Sequence, residues 1–194
     1  MTAWYWLIQC DNTVDDPFVA DTADASIDAS ALSSGKPIES WSEVAWLKAA
    51  KPEDDGDPDD ALQNHLGLPI FSPVLHEELM RADVRGFQYL PVRIIRPDGR
   101  VLGTFSIANI VECREALNMS RSNYDVFPDD YFLPERRGRV RGILSATLIA
   151  DALRDCDVVR LKEFPFSIYV SQRFKDTFEL GEFTGLSFVK VGLS

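Results

Sequence analysis

The sequence predicts an α+β fold with mainly antiparallel sheets and short helices packed on them. Short β-favouring segments bounded by glycine and proline recur along the chain, which is typical of strands and turns. Two strong helix-start signals, at Ser72 and Ser171, each follow such a segment. Apolar residues make up 45% of the 194 residues, and the chain contains 12 Phe, 5 Tyr and 4 Trp. This apolar content is sufficient for the core of a single folded domain.

The two helix starts belong to a unit that is written twice. Each copy reads as a strand, a Ser-capped helix, a glycine turn and a returning strand, and the copies align without an insertion. The matched pairs are Leu75 with Phe174, Glu77 with Asp176, Leu79 with Phe178, Gly86 with Gly185, Tyr89 with Phe188, and Val92 with Val191. We interpret the copies as two similar strand–helix–strand units, a structural repeat that carries no chemistry of its own.

The front of the chain is less regular. Residues 4–10 are aromatic and β-favouring, and they predict a first strand. Residues 11–39 are rich in Asp, Ala and Ser and predict an irregular segment. Residues 40–50 begin with a capping box, which predicts a short helix with Trp41, Val44 and Leu47 facing inward.

The remaining elements are predicted from the same signals, namely glycine and proline boundaries and serine caps. Strands are predicted at residues 68–71, 87–96, 100–109, 158–161, 167–170 and 186–191, and helices after both serine caps. A short helix is predicted over 109–118, an irregular segment over 119–142, and a strand with a helical turn over 143–154. We expect a single domain, in which residues 1–65 form an acidic strand, an irregular segment and a short helix that are integral to the fold, and 66–194 form the rest.

The charge of the chain is concentrated at its front. The net charge is −11, and residues 1–80 hold 16 acidic against 3 basic side chains, whereas residues 81–194 are nearly balanced. A negative field of this kind repels nucleic acids and anionic membranes and attracts basic proteins. We therefore expect a protein partner, and neither a nucleic-acid partner nor a membrane partner.

The densest acidic stretch is the predicted partner-binding site. Its members are Glu53, Asp54, Asp55, Asp57, Asp59 and Asp60. Like charges this close repel one another in a helix or a strand, so we expect a solvated loop. Three of the aspartates have the spacing of a calcium loop, but Asp60 stands where an EF-hand needs glycine and Leu66 where it needs glutamate. The alternative is that the loop only aids solubility.

Patterns typical of catalytic sites are missing from the sequence. There is no G-x-S-x-G nucleophile turn, no phosphate-binding loop and no pair of histidines at a metal-ligand spacing, since His65 and His76 are isolated. Ser72 and Ser171 fit helix caps better than nucleophiles. Two alternatives stay open, namely acid–base work by a pair of neighbouring carboxylates, Asp129 with Asp130 or Asp15 with Asp16, and a nucleophilic Cys113. We expect no cofactor, no metal and no catalysis.

The three cysteines, the absence of a signal-peptide pattern and the lack of a long apolar run together predict a soluble protein of the cytoplasm. The cysteines are odd in number and widely spaced, which favours a reducing compartment.

Several stretches of the chain resemble a known protein family. They are residues 68–72 with the helix that follows, 86–92, 105–111 leading to 116–118, and 168–171 with Phe174, Gly185, Phe188 and Val191. Together they span about residues 66–194, whereas the front 65 residues match only loosely. The family they resemble is a broad one of bacterial immunity proteins from polymorphic toxin systems, often listed as the eleventh such family.

The resemblance implies a function and no catalytic residues. Members of the family are small cytosolic antitoxins, so it implies a protein that binds and neutralises a cognate toxin effector. An acidic inhibitor suits a basic cleft, and a nuclease is one candidate for the toxin. The alternatives are an uncharacterised hydrolase that uses carboxylates and a non-catalytic scaffold subunit.

Overall fold

A computed structural model of the protein describes residues 5–10, 19–49 and 58–194. The fold is α+β, as predicted, with antiparallel and mixed sheets and short helices. The first part of the chain contains the elements β1 (Tyr5–Cys10), β2 (Val19–Ala23), α1 (Ala29–Leu32), β3 (Trp46–Ala49), β4 (Gln63–Asn64), β5 (Ile70–Phe71), α2 (Pro73–Arg81), β6 (Phe87–Ile95) and β7 (Val101–Ile110). The remainder contains β8 (Cys113–Arg114), β9 (Asn123–Val126), β10 (Val140–Ser145), β11 (Thr147–Leu148), β12 (Val158–Leu161), β13 (Ile168–Ser171), α3 (Gln172–Leu180), β14 (Leu186–Lys190) and β15 (Gly192–Leu193), with 3-10 turns at Pro134–Arg136 and Ala150–Leu153.

Six strands form a sheet that closes on itself. Their order is β4, β2, β3, β6, β7 and β5. A bridge between Ala61 and Phe71 joins the two ends, and the Leu62 N–H donates to the Ile70 carbonyl at 2.8 Å beside it. The result is a small barrel with its own apolar interior.

The second sheet has the same plan. Its strands lie in the order β14, β1, β13, β12 and β8. The strand β11 links the two ends of this sheet. On one side it pairs with β15, which follows β14, and on the other its Leu148 forms a bridge with Leu117, which follows β8. A separate interior lies inside this second barrel.

The predicted repeat is confirmed, and it extends beyond the two strand–helix–strand units. The pairs β2 with β4 and β8 with β12 are both parallel and occupy matching places, as do β3 with β6 and β11 with β15. In the first barrel the returning strand β6 pairs with β7, and in the second barrel the returning strand β14 pairs with β1. The second barrel is therefore completed by a strand from the front of the chain, which Tyr5 anchors by placing its hydroxyl 2.7 Å from the Leu153 carbonyl.

A third apolar cluster lies between the two barrels and contains one face of each helix. Leu75 and Leu79 of α2 and Phe174 and Phe178 of α3 are all buried in it. The Phe71 and Phe174 rings, one from each repeat, lie 6.2 Å apart. Burying each of these side chains contributes roughly 1.5–3 kcal/mol, so this cluster holds the repeats together.

The helix caps are as predicted, and each cap serine is linked by hydrogen bonds to the other repeat. The Ser72 hydroxyl accepts the Leu75 N–H at 3.2 Å, which caps α2. The same hydroxyl donates to Asp60 Oδ1 at 2.7 Å, and Asp60 Oδ2 accepts the Thr184 N–H at 3.2 Å. Thr184 lies in the turn that follows α3. The first cap is therefore tied to the glycine turn of the second unit.

The reverse connection is built in the same way. The Ser171 hydroxyl accepts the Phe174 N–H at 3.3 Å and donates to Asp157 Oδ1 at 2.7 Å. Asp157 Oδ2 accepts the Arg85 N–H at 3.1 Å, in the turn that follows α2. Two aspartates thus bond a cap in one unit to the turn of the other unit.

The two turn glycines are required at these crossings. Gly86 has φ +110°, and a Cβ on it would lie 2.7 Å from the Val158 carbonyl oxygen. Gly185 has φ +98°, and a Cβ there would overlap the Ala61 carbonyl. Both conformations favour glycine, and the close backbone approach excludes any side chain.

The helix predicted over residues 40–50 is wrong. The chain forms β3 instead, in which Leu47 pairs with Ile94 of β6 and is buried, whereas Val44 is 62% exposed. The Arg93 N–H donates to the Ala45 carbonyl at 2.9 Å. Pairing with a distant strand outweighs the local capping pattern.

Three other predictions need correction. Residues 109–118 do not form a helix, because Val111 bonds to Gly86 and β8 joins the second sheet. The segment 11–39, predicted to be irregular, contains β2 and α1 in its described part. The segment 119–142 contains β9 and the first half of β10, which pair as a two-stranded arm.

Candidate partner-binding surface

The acidic stretch predicted to bind a partner lies partly outside the described residues. This applies to Glu53, Asp54, Asp55 and Asp57. Asp59 and Asp60 are described, and both are half-buried at the point where the chain returns to the fold before Ala61. The described end of the stretch, Asp59 and Asp60, is therefore part of the folded protein, and we call it the root of the acidic stretch.

The root is held against the turn after α3. The Asp60 N–H donates to Thr184 Oγ1 at 3.3 Å, although the two residues are 124 positions apart. The Ala61 N–H donates to the Thr184 carbonyl at 2.9 Å. The Asp60 carboxylate is also bonded to Ser72 and Thr184, so Asp60 anchors the end of the stretch to the fold.

Two further acids lie close to this root. Glu179 belongs to the last turn of α3 and forms an ion pair with Lys175. Glu182 is exposed in the turn that leads to Thr184, with φ +54°. Sequence reasoning missed both, because only the tertiary contact of Asp60 with Thr184 brings them near the acidic stretch.

An apolar cleft of about 150 Å³ opens beside the same root. Its lining includes Ala61, Leu62, Ile8 and Phe166, and Phe166 is 76% exposed. An exposed aromatic side chain at a cleft near acids is typical of protein contact surfaces. The surroundings of the root thus combine negative charge with apolar area.

Comparison with known families gives a match over nearly the whole chain. The sequence profile of the Immunity protein family (Imm11) matches residues 3–193. The chain belongs to this family. The match extends over residues 3–65, which the stretches quoted above matched only loosely. A comparison with curated proteins finds no match to the chain.

Of the paired carboxylates in this Imm11 protein, Asp15 and Asp16 lie outside the described residues. Asp129 and Asp130 lie in an exposed turn at the end of the arm formed by β9 and β10. The Tyr131 N–H donates to the Pro128 carbonyl at 3.0 Å and closes that turn. Solvated neighbouring acids of this kind are typical of turns.

His76 of α2 is half-buried. The ring of His76 stacks on Tyr89 with centroids 3.8 Å apart, and its Nδ1 lies 3.1 Å from Ser106 Oγ. Burial lowers the pKa of His76, and neighbouring Glu77 opposes this effect. His76 therefore packs against the sheet as a neutral ring.

Cys113 is not activated as a nucleophile. Burial raises the pKa of its thiol, and Lys162 and Arg160 only partly oppose the shift. The thiolate, which is the reactive form, is thus disfavoured at neutral pH. Among residues 5–10, 19–49 and 58–194, no three His, Cys, Asp or Glu side chains form a group suited to a metal ion.

None of the helices in the described part of this immunity-family chain has the length and apolar character needed to cross a membrane.

Proposed function

We propose that this protein is an immunity protein that binds and neutralises a cognate bacterial toxin in the cytoplasm, without catalysis of its own. The observation that carries the proposal is the Imm11 match over residues 3–193.

We further propose that the acidic front contacts the toxin. The supporting observations are the concentration of acids between residues 53 and 60 and the nearby Glu179 and Glu182. Complementary charge speeds association and selects partners, so the matching toxin surface is basic. A nuclease, whose cleft must be basic to hold nucleic acid, is one candidate.

The first experiment is co-production with the product of the neighbouring gene. Rescue of growth, together with a stoichiometric complex by calorimetry and size-exclusion chromatography, is the expected result. Failure to protect the cells and failure to form a complex, with a protein that is folded by circular dichroism, would contradict the proposal.

The second experiment tests the acidic stretch. Glu53, Asp54, Asp55, Asp57 and Asp59 are replaced together by their amides, and Asp60 is retained because it anchors the fold. The association rate should fall roughly tenfold at low ionic strength and depend less on salt, with little change in melting temperature. The matched control replaces the exposed Asp129 and Asp130 by Asn, and it should leave binding unchanged.

An unaltered rate in the five-residue variant would show that the stretch only aids solubility. If the control variant loses protection instead, the carboxylates of the arm are functional and the assignment of the acidic front is wrong.

A further inference from the structure

The arm formed by β9 and β10 ends in a tip, residues 127–139, whose shape is fixed by its own contacts. The Phe127 N–H donates to the Arg139 carbonyl at 2.9 Å and closes the base of the tip. The Arg137 Nε–H donates to the Tyr131 carbonyl at 2.8 Å and joins its two halves. The tip therefore presents its side chains in a defined arrangement.

Three aromatic rings form a row along the tip. The Phe127 and Tyr131 centroids lie 4.6 Å apart, and so do those of Tyr131 and Phe132. The Arg136 guanidinium lies over the Phe127 ring, 5.8 Å from its centroid. Phe132, at the other end of the row, is 74% exposed. Aromatic and arginine side chains are enriched at the centres of protein interfaces, so the row is a candidate contact surface.

Charged side chains of both signs accompany this row. They are three acids and three arginines, namely Asp129, Asp130, Glu135, Arg136, Arg137 and Arg139. All six are exposed, and none of them forms an ion pair with a residue in the described part of the chain. In the strands of the arm, by contrast, Arg141 and Asp125 lie 3.5 Å apart as an ion pair. The charges of the tip are thus left for a partner, and they sum to zero in a chain whose net charge is −11.

The balance of the two signs indicates which partner fits the tip. A partner of uniform charge would be attracted by one part of the tip and repelled by the other, because Asp129 and Asp130 precede the exposed rings in the chain and the arginines follow them. A second copy of the same surface, related by a two-fold axis, places the acids of each copy against the arginines of the other. The outer face of the arm adds apolar area, since Ile143 packs on the core of the second barrel whereas its neighbour Leu144 is 67% exposed.

We propose that two copies of this chain associate through the tips of their arms, about a two-fold axis that passes beside Phe132. The Phe132 rings of the two copies meet at the axis, and Asp129 and Asp130 of each copy pair with Arg136 and Arg139 of the other. The contact is confined to the tip and the outer face of the arm. It is therefore smaller than a standard interface of about 800 Å² per partner, and we expect a dissociation constant in the micromolar range. The inference is independent of the proposed function, since both halves of the contact belong to this chain.

The test reverses the charges of the two parts of the tip separately. One variant carries Asp129→Lys and Asp130→Lys, and the other carries Arg136→Glu and Arg139→Glu. Each variant alone should bind itself at least about tenfold more weakly than the wild type in sedimentation equilibrium, because like charges then face each other across the axis. An equimolar mixture of the two variants should recover an affinity within about threefold of the wild type, because each reversed group then meets its complement.

Two further variants locate the contact. Phe132→Ser should weaken self-association roughly tenfold, because it removes the side chain at the axis. Asp151→Lys, in the turn Ala150–Leu153 outside the arm, changes the charge by the same amount per residue and should leave self-association unchanged. Circular dichroism verifies that each variant is folded.

Three results would overturn the inference. The first is a wild-type protein that sediments as a monomer at all concentrations up to about 1 mM, including the case in which the tip variants instead lose binding to the product of the neighbouring gene, because the tip then contacts the toxin. The second is a dimer that keeps wild-type affinity in both charge-reversed variants, since it then forms elsewhere. The third is a mixture of the two variants that does not recover affinity, because the acids and arginines of the tip then do not face each other.

Discussion

Removing the Asp157 carboxylate should strongly destabilise the protein, because this side chain bonds the cap of one repeat to the turn of the other. Asp157 is buried and accepts the Ser171 hydroxyl at 2.7 Å and the Arg85 N–H at 3.1 Å. Asp157→Ala leaves these two donors without an acceptor, and it also removes the ion pair with the half-exposed Arg173 at 3.4 Å. Each loss costs about 1–2 kcal/mol, so the free energy of unfolding should fall by roughly 2–4 kcal/mol.

Matched variants separate the contribution of the hydrogen bonds to the free energy of unfolding from the contribution of burial. Asp157→Asn keeps one acceptor oxygen and should cost about half as much. Asp60→Ala removes the corresponding group of the first repeat, and because Asp60 is more exposed it should cost roughly 1–2 kcal/mol. Ser171→Ala combined with Asp157→Ala should cost less than the sum of the single changes, because both remove the same bond.

The assay is urea unfolding followed by tryptophan fluorescence and circular dichroism, with the free energy taken by linear extrapolation. If Asp157→Ala lies within about 0.5 kcal/mol of the wild type, the crossing does not hold the repeats together and the reasoning is refuted.

Two further predictions concern the same core. Gly86→Ala should cost roughly 2–4 kcal/mol by urea unfolding because its Cβ would approach the Val158 carbonyl, whereas Gly99→Ala, also at positive φ but with open space around it, should cost only about 1 kcal/mol; equal costs would contradict the close approach. The lowered pKa of His76 means that the unfolded state binds more protons once the pH falls below the ordinary histidine value of 6.5. The stability advantage of a neutral His76 is thus complete above that pH and is lost below it, so the wild type should lose stability relative to His76→Gln on acidification, and parallel pH profiles of the two proteins would refute this.

Local signals in the sequence predicted the repeated units well. The serine caps, the glycine turns and the apolar spacing of Leu75 with Leu79 and of Phe174 with Phe178 depend on residues within one or two turns of each other. The helices α2 and α3 therefore begin and end close to where the sequence places them.

Local signals failed where distant strands decide the structure. The sequence at residues 40–50 does contain a capping pattern. However, Leu47 pairs with a residue of β6 and is buried there, so the segment forms the strand β3. In the same way β8 is extended because β12 pairs with it. Segments this short have little intrinsic preference, so tertiary pairing determines their conformation.

The sequence alone determined the family resemblance, the fold class, the concentration of acids at the front and the two capped helices, because each of these follows from residue types and short spacings. Only the tertiary structure decided that β1 completes the second barrel, that Asp60 and Asp157 tie each cap to the opposite turn, and that the acidic stretch returns to the fold at the turn that follows α3. The physical reason is that these contacts join residues far apart in the chain, and the free energy of burying the shared core, which no local spacing encodes, brings them together.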